Sequence, residues 1–450
     1  MSQDSRVKEL LPLYDEVAKC GKCGFCQPVC PVHMATGLEA HVARGKNALF
    51  RGLIEGETVM SSELKEAFDN CLLCRACTAS CFSAVKTDQI VVALRESYAQ
   101  RLGRPTIQRI IFRRLLPYPK RMTRLVGLVW FTRRLGLDRV LKRLGILHMI
   151  NPKLEKAMEI REKVPRAFLR KVLTNRPLTP SETRLRVGYW VSCGYNYMLP
   201  EPAEATVDVL VRNGVHITVL PNCCCGMPVY AYGDLDGARL LAARNLEKIG
   251  DLDEYDFIVS DCGSCSSHLK SYGQLLRGDN EYSEKAERLV RKVRGFSEVL
   301  SEIGLAVSPG LFKTSVTYHD PCHMTARYQG ITEQPRSLIR SIPGVEFREL
   351  PESDWCCGAA GSYNFMHNRI SMKILDRKVA NIGRTEAEIV ASECPACLMQ
   401  LTLGAARSGL DVHVMSVSQL LQASYVRDRH GATSPPSAAT RRSNANAPRI

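Results

Sequence analysis

His-Asp-Pro-Cys-His at 319–323, Cys-Cys-Gly at 356–358 and Cys-Pro-Ala-Cys at 394–397 set five thiols in three groups, with 33 and then 36 residues between the groups. The chain has spelled this pattern once already. Cys193 is followed after 30 residues by Cys224-Cys225-Gly226, and after 36 more by Cys262-Gly-Ser-Cys265. From Cys224 onward each cysteine recurs 132 residues later: 224 at 356, 225 at 357, 262 at 394 and 265 at 397. A period held across four positions marks an internal duplication. The residues ahead of each thiol group read as short buried strands. They are LRVGYWVSCG, GVHITVLPNCCCG and YDFIVSDCGSC in the first copy, and SVTYHDPC, GVEFRELPESDWCCG and AEIVASECPAC in the second. Helix-like stretches, among them Glu204–Arg212, Leu235–Ile249 and Asn368–Ile382, lie between strands. Strand–helix alternation predicts parallel sheets covered by helices. Loops at the C-terminal ends of such strands open on a common crevice, so thiols distant in sequence come to share a site.

Upstream, Cys20-Gly-Lys-Cys23-Gly-Phe-Cys26-Gln-Pro-Val-Cys30-Pro31 has three cysteines at two-residue gaps, then three residues to a fourth followed by proline. This is the bacterial ferredoxin spacing. Cys71, Cys74, Cys77 and Cys81 repeat it, with Phe82 where proline is usual. Three close thiols wrap one cubane while the fourth turns to its neighbour. The spacing therefore predicts two [4Fe-4S] cubane clusters, one on Cys20, Cys23, Cys26 and Cys81, the other on Cys71, Cys74, Cys77 and Cys30. A zinc site prefers two separated Cys-x-x-Cys pairs around one ion, which two complete four-thiol runs match poorly. Between the runs, Leu38, Val42, Leu49 and Leu53, then Leu64, Ala67 and Phe68, recur near the helical period. Residues 88–102 continue as a helix with Asp88 near its start.

The 450 residues leave room for about three domains. An ordinary hydrophobic fraction, 45%, supplies their cores. Nineteen cysteines would mean disulfides in a secreted chain, but MSQDSRVKELLPLYDEV has no apolar signal region. The longest apolar runs, such as Leu125–Phe131, are far short of a membrane span. Grouped thiols in a reducing compartment bind metal or do redox chemistry, which places the protein in the cytoplasm, with room for a peripheral position at the inner face of the cell membrane.

The net charge of +15 is concentrated: residues 101–186 hold 23 Lys and Arg against 5 Asp and Glu, a net of +18. There, apolar residues (Ile107, Ile110, Ile111, Leu115, Leu125, Val126, Trp130, Val140, Leu141, Leu144, Leu147) alternate with cations (Arg113, Arg114, Arg124, Arg133, Arg134, Lys142, Arg143), and helices break at Pro117 and Pro119. Such a segment is a solvated helical connector or a face for anionic lipid or a membrane partner. No recognised nucleic-acid module accompanies the charge, so no nucleic-acid partner is expected. The tail beyond Tyr425, with Pro435 and Pro436, has no periodicity and is read as disordered.

The resulting fold class is multidomain α+β. Its parts are a helical two-cluster ferredoxin domain (1–100), a basic helical connector (101–185), two duplicated α/β repeats with parallel sheets (186–305 and 306–425) and a tail (426–450). Two ferredoxin runs joined to two Cys…Cys-Cys-Gly…Cys-x-x-Cys repeats resemble the heterodisulfide-reductase-like iron–sulfur family, whose repeats are called cysteine-rich CCG domains. Within it, residues 15–425 are most similar to the iron–sulfur subunits of glycolate or lactate oxidases and their relatives, including that of anaerobic glycerol-3-phosphate dehydrogenase.

The resemblance implies that each complete repeat holds a further [4Fe-4S] cluster, cubane or non-cubane, making one or two beyond the ferredoxin pair. The implied ligands are Cys193, Cys224, Cys225, Cys262 and Cys265, and Cys322, Cys356, Cys357, Cys394 and Cys397. Four of five thiols would also suffice for zinc or a cubane. Cys223 is left over; Gly226 matching Gly358 favours 224/225, and a register using Cys223 stays open. His319, Asp320 and His323 flank Cys322, where they orient a ligand, relay protons or simply cap a strand end.

No G-x-G-x-x-G follows a strand and no P-loop occurs, so hydride chemistry must come from a flavin on another chain. The expected oxidoreductase role is the electron-transfer subunit of an FAD-dependent 2-hydroxyacid (glycolate or lactate) oxidoreductase. It would work with an FAD-containing oxidase subunit and pass electrons to a quinone or another acceptor, with a membrane or quinone-linked partner at the basic connector. The alternative is a heterodisulfide-reductase-like catalytic subunit that cleaves a disulfide or thiol-linked substrate at a non-cubane cluster. Catalytic residues beyond the thiols are not identifiable from sequence.

Overall fold

In the computed structural model, which describes residues 7–137 and 165–430, the N-terminal region is helical. Helices α1 (Ala43–Glu55), α2 (Ser62–Asp69) and α3 (Thr87–Leu102) pack Phe50, Leu53, Leu64, Phe68, Ile90, Val91 and Leu94 into one core. Ser61 caps α2, its side chain accepting from the Leu64 N–H. The apolar period before α1 was expected to be helical from Leu38. Instead Leu38 is exposed and Val42 is an extended N-cap, because a 3₁₀ turn at Glu39–His41 intervenes. Asp88 lies in the first turn of α3 as expected, yet it is buried and its carboxylate accepts from Arg75 Nε at 2.7 Å.

The connector continues as a helical turn at Thr106–Ile110 and a π-turn at Ile111–Leu115, then α4 (Pro119–Arg134), with Pro119 at the tolerated first position. Its expected apolar residues Val140 to Leu147, and the tail beyond His430, fall outside the described residues; the first five residues of the expected disordered tail, 426–430, instead continue the helix Val417–His430. No helix among the described residues is long and apolar enough to cross a membrane.

The two repeats share one topology. In the first, β1 (Leu185–Tyr189), β2 (Val215–Val219), β3 (Phe257–Ser260) and β4 (Val293–Gly295) form a parallel sheet in the order β2-β1-β3-β4. In the second, β5 (Thr314–Tyr318), β6 (Val345–Phe347), β7 (Ile389–Ala391) and β8 (His413–Met415) take the order β6-β5-β7-β8. Register is equivalent: Val187 pairs with Ile217 and Phe257, as Val316 pairs with Phe347 and Ile389. Central strands need apolar residues on both faces, and both Val187 and Val316 are fully buried. The edge strands β4 and β8 carry too little apolar sequence to be read in advance.

Helices α5 (Pro200–Arg212) and α6 (Leu235–Ile249) cover the first sheet; α7 (Asn368–Arg384), α8 (Pro395–Ser408) and α9 (Val417–His430) follow in the second repeat. The last helix crosses to the first repeat: Thr206 Oγ1 donates to Ser418 Oγ at 3.0 Å, and Asn213 Nδ2 to Tyr425 Oη at 3.1 Å. One hydrophobic core therefore runs through both sheets. The ferredoxin domain is held from two sides. Arg95 donates to the carbonyls of Phe68, Asp69 and Cys71 and, at 2.6 Å, to that of Ala231 in the first repeat. Tyr363 and Tyr328 of the second repeat donate to the Asn70 side chain and the Leu73 carbonyl.

Candidate metal centres

The ferredoxin runs share a backbone as well as a spacing. Lys22 and Leu73, the residues before the second cysteine of each run, are left-handed (φ 55° and 54°), as are Gly24 and Arg75 after it (φ 89° and 57°). Left-handed turns cost a non-glycine residue about 1–2 kcal/mol, and here they turn three successive thiols toward one point. Cys30 lies with Cys71, Cys74 and Cys77 around a single cavity. On the other side, Phe25 meets Phe82 edge-on at 4.8 Å, which draws the loop of Cys26 against that of Cys81.

In each repeat every thiol group sits just past a strand. Cys193 and Cys322 follow β1 and β5, the paired cysteines follow β2 and β6, and the Cys-x-x-Cys loops follow β3 and β7 into a helix. Gly226 and Gly358 both have left-handed backbone (φ 100° and 85°). That turn swings each glycine N–H back onto the first sulfur of the pair, at 3.5 Å to Cys224 Sγ and 3.4 Å to Cys356 Sγ. The thiols then form a ladder. Hydrogen bonds from Cys224 and Cys265 hold Cys225 down to about 5. Cys356 and Cys397 likewise hold Cys357 well below the usual thiol range, and its sulfur is 3.6 Å from that of Cys397. Cys193 is exposed as a residue, with its sulfur turned to Cys224; Cys322 meets Cys356.

The two ladders touch. Cys394 of the second repeat is held well below the usual thiol range by Cys262 of the first, and then by Cys397. The Gly263 N–H donates to the Glu393 carbonyl at 3.1 Å. Ser264 Oγ lies 3.8 Å from Cys394 Sγ and 2.9 Å from His323 Nδ1. Gly194 faces Pro395 so closely that a Cβ would lie 2.7 Å from the proline ring. At the other end of the second ladder, Cys74 packs in one cluster with Cys356 and Cys322. The thiol groups thus run in one file: first repeat, second repeat, then Cys74 and its ferredoxin partners. Cys223 stands aside, its N–H and Sγ both donating to Asn245 Oδ1 at 2.9 and 3.2 Å.

Two buried lysines test whether these thiols suit an anionic metal–thiolate group. Lys46 is 1% exposed and donates only to the carbonyls of Ala40 and His41 among the described residues; the groups that favour its charge are Cys71, Cys30 and Cys77. Lys378 is fully buried and bonded to the carbonyls of Glu352 and Ser353. Burial lowers it to about 8, and Cys357 is the first group that opposes this. The nearby carboxylates Asp320 and Asp354 are already paired with Arg336 and Arg327. A buried cation without a counter-charge is costly. Thiolates bound to iron would supply that charge, so the residues fit iron–sulfur groups.

A 4Fe-4S dicluster domain model matches residues 16–85, a cysteine-rich (CCG) domain model matches 187–270 and 316–402, and a model of the glycolate oxidase iron–sulfur subunit linker region matches 103–160. The chain is 33% identical over 413 residues to a probable glycolate oxidase iron–sulfur subunit of Bacillus subtilis (strain 168), covering 89% of this chain and 92% of that one. It belongs to the glycolate oxidase iron–sulfur subunit family. The family's Escherichia coli (strain K12) glycolate oxidase iron–sulfur subunit is 25% identical over 94% of this chain and 98% of its own. Lactate utilization protein A of Oceanobacillus iheyensis is 30% identical over 53% of this chain and 96% of its own. As a member of the glycolate oxidase iron–sulfur subunit family, the chain is an iron–sulfur electron-transfer subunit.

For this family member, sequence reading missed Lys46 and Lys378. The signal was present: Lys378 sits on the stripe Ile374, Leu375, Val379 and Ile382, a buried face where a cation has no ordinary place. The contact between Cys262 and Cys394 had no sequence signal, because it arises from how the repeats pack. Of the residues flanking Cys322, Asp320 is bound in a buried ion pair with Arg336 (2.7 Å) and His323 is tied to Ser264. His319 is 1% exposed, and by strict hydrogen-bond geometry neither of its ring nitrogens has a partner among the described residues, although the Ser353 carbonyl favours an N–H on the ring.

Proposed function

We propose that this chain is the electron-transfer subunit of an FAD-dependent 2-hydroxyacid (glycolate or lactate) oxidoreductase, receiving electrons from a flavin-bearing partner and delivering them to a quinone or another acceptor. The observation that carries the reading is the single file of thiols from Cys74 through the second repeat to Cys193. When bound, iron–sulfur clusters supply one-electron transfer. The assigned cubane ligands are Cys20, Cys23, Cys26 and Cys81, and Cys71, Cys74, Cys77 and Cys30. Two further clusters are assigned to Cys193, Cys224, Cys225, Cys262 and Cys265, and to Cys322, Cys356, Cys357, Cys394 and Cys397. Lys46 and Lys378 hold positive charge beside two of these sets, and buried walls keep water from them.

The names of the Bacillus subtilis and Escherichia coli relatives, both glycolate oxidase subunits, support the substrate class. Helix α4 exposes Leu125, Leu128, Val129 and Phe131 among five cations and no carboxylate, which supports docking of an anionic partner or the inner membrane face at the connector. Anaerobic co-purification with the products of neighbouring genes tests the reading, with assays on glycolate, lactate, glycerol 3-phosphate and disulfides. A flavoprotein partner and acceptor reduction that needs both chains are expected. Hydroxyacid oxidation by this chain alone would overturn it.

A further inference from the structure

We propose that His319 is a nitrogen ligand of the metal group held by the second repeat, so that this site is a mixed imidazole–thiolate centre while the first repeat's is thiolate only. The inference rests on the reading that the second repeat binds an iron–sulfur group. A ring nitrogen of His319 and the sulfurs of Cys357 and Cys397 all lie within 4.8 Å of one another, and all three residues are buried. The imidazole is fixed from behind. Its backbone N–H donates to the Ala391 carbonyl at 2.9 Å, its carbonyl accepts from Ser392 Oγ at 3.1 Å, and the next N–H, of Asp320, donates to the Ser353 carbonyl at 3.1 Å. The ring is thereby set beside the thiols at the end of β5.

By strict hydrogen-bond geometry neither of its nitrogens has a partner among the described residues, and the Ser353 carbonyl is the backbone group that favours an N–H on the ring. A neutral imidazole presents one N–H and one lone pair. The lone pair needs a proton donor or a metal, and a metal-bound thiolate offers no proton.

The duplication supplies an internal control. The residue after β1 in the first repeat is Trp190, whose backbone N–H donates to the Val259 carbonyl at 2.8 Å, just as that of His319 does to Ala391. Trp190 Nε1 is also buried without a partner among the described residues. An indole, however, is a donor only and has no lone pair for a metal. At one structural position the chain therefore carries a hydrogen-bond donor in one repeat and a metal-binding nitrogen in the other. Histidine on an iron–sulfur centre raises its reduction potential relative to all-cysteine ligation. Lys378, buried beside Cys357, acts in the same direction.

The test is pulsed electron paramagnetic resonance on the reduced full-length chain, purified anaerobically and labelled with ¹⁵N-histidine, alongside iron analysis. A histidine nitrogen coupling of the strength of an iron–nitrogen bond is expected. It should vanish in His319→Leu and persist in Trp190→Phe. If His319→Leu does not fold, His319→Cys replaces one metal-binding side chain by another and should retain iron while losing the coupling. Full iron content with only weak, hydrogen-bond-sized couplings, or a strong coupling unchanged in the His319 variants, would overturn the assignment of His319 and leave the iron–sulfur reading standing. Iron content unchanged when Cys356 and Cys357 are both replaced by serine would overturn both.

Discussion

Leu246 in the first repeat and Lys378 in the second occupy equivalent positions, as do Trp190 and His319, and Ser264 and Ala396. The sheets around them have the same strand order and register, so the backbone did not force these differences. All three change the polarity of what faces the thiols. Around the second set a buried ammonium and an imidazole replace a leucine and an indole. The first set lies at the end of the file, with Cys193 at the surface; the second lies between it and the ferredoxin thiols. Duplication thus produced two sites with one scaffold and different electrostatics, and the more positive site is the interior one. Positive charge and hydrogen bonds near iron–sulfur groups raise reduction potentials. The second repeat's group is therefore expected to reduce first in a redox titration followed by electron paramagnetic resonance.

The largest effect should come from breaking the file at unequal points. If electrons enter at the ferredoxin end of the file, Cys356→Ser lowers partner-linked electron transfer by about 100-fold or more and leaves the first repeat's signal unreduced by the flavin partner. Cys224→Ser should leave reduction of the second repeat intact. Equal loss of both signals in either variant would remove the distinction. Next, Lys378→Met should destabilise the iron-loaded chain by about 3–5 kcal/mol, since a buried charge loses its partner. The same variant should stabilise the iron-free chain, and Leu246→Met should cost under about 1.5 kcal/mol in either state. Denaturant unfolding under anaerobic conditions measures both.

Gly194→Ala comes third. The new Cβ meets the rigid Pro395 ring, and overpacking of this kind costs about 1–3 kcal/mol. Gly383→Ala, whose Cβ meets nothing closer than 3.7 Å, should be neutral or stabilising. The smallest effect is that of Ser264→Ala, which gives the first loop the residue of the second and removes the link to His323 and Cys394. A loss of about 1 kcal/mol is expected by the same unfolding measurement.

Much of this was legible in the sequence for physical reasons. Cysteine spacing is set by cluster size, so both ferredoxin runs could be read directly. The buried strands β1, β3, β5 and β7 announced themselves as β-branched runs ending in cysteine. Helix 235–249 was legible from its period, and it ends where expected. Strands β4 and β8 were not, because three residues with one or two apolar side chains carry no periodic signal. The meeting of Cys262 with Cys394 was also hidden, since nothing local specifies which faces of two repeats will pack. Lys46 and Lys378 were visible only as cations on apolar stripes, a pattern whose meaning depends on what the stripe faces.

The central claim is that the eighteen assigned thiols hold iron–sulfur groups from the ferredoxin domain through both repeats. Quantifying iron, acid-labile sulfide and zinc in the anaerobically purified full-length chain tests it most directly. Four clusters predict about 16 iron and about 16 sulfide per chain with negligible zinc. Roughly 8 iron accompanied by stoichiometric zinc would confine the clusters to the ferredoxin domain and contradict the account of the repeats.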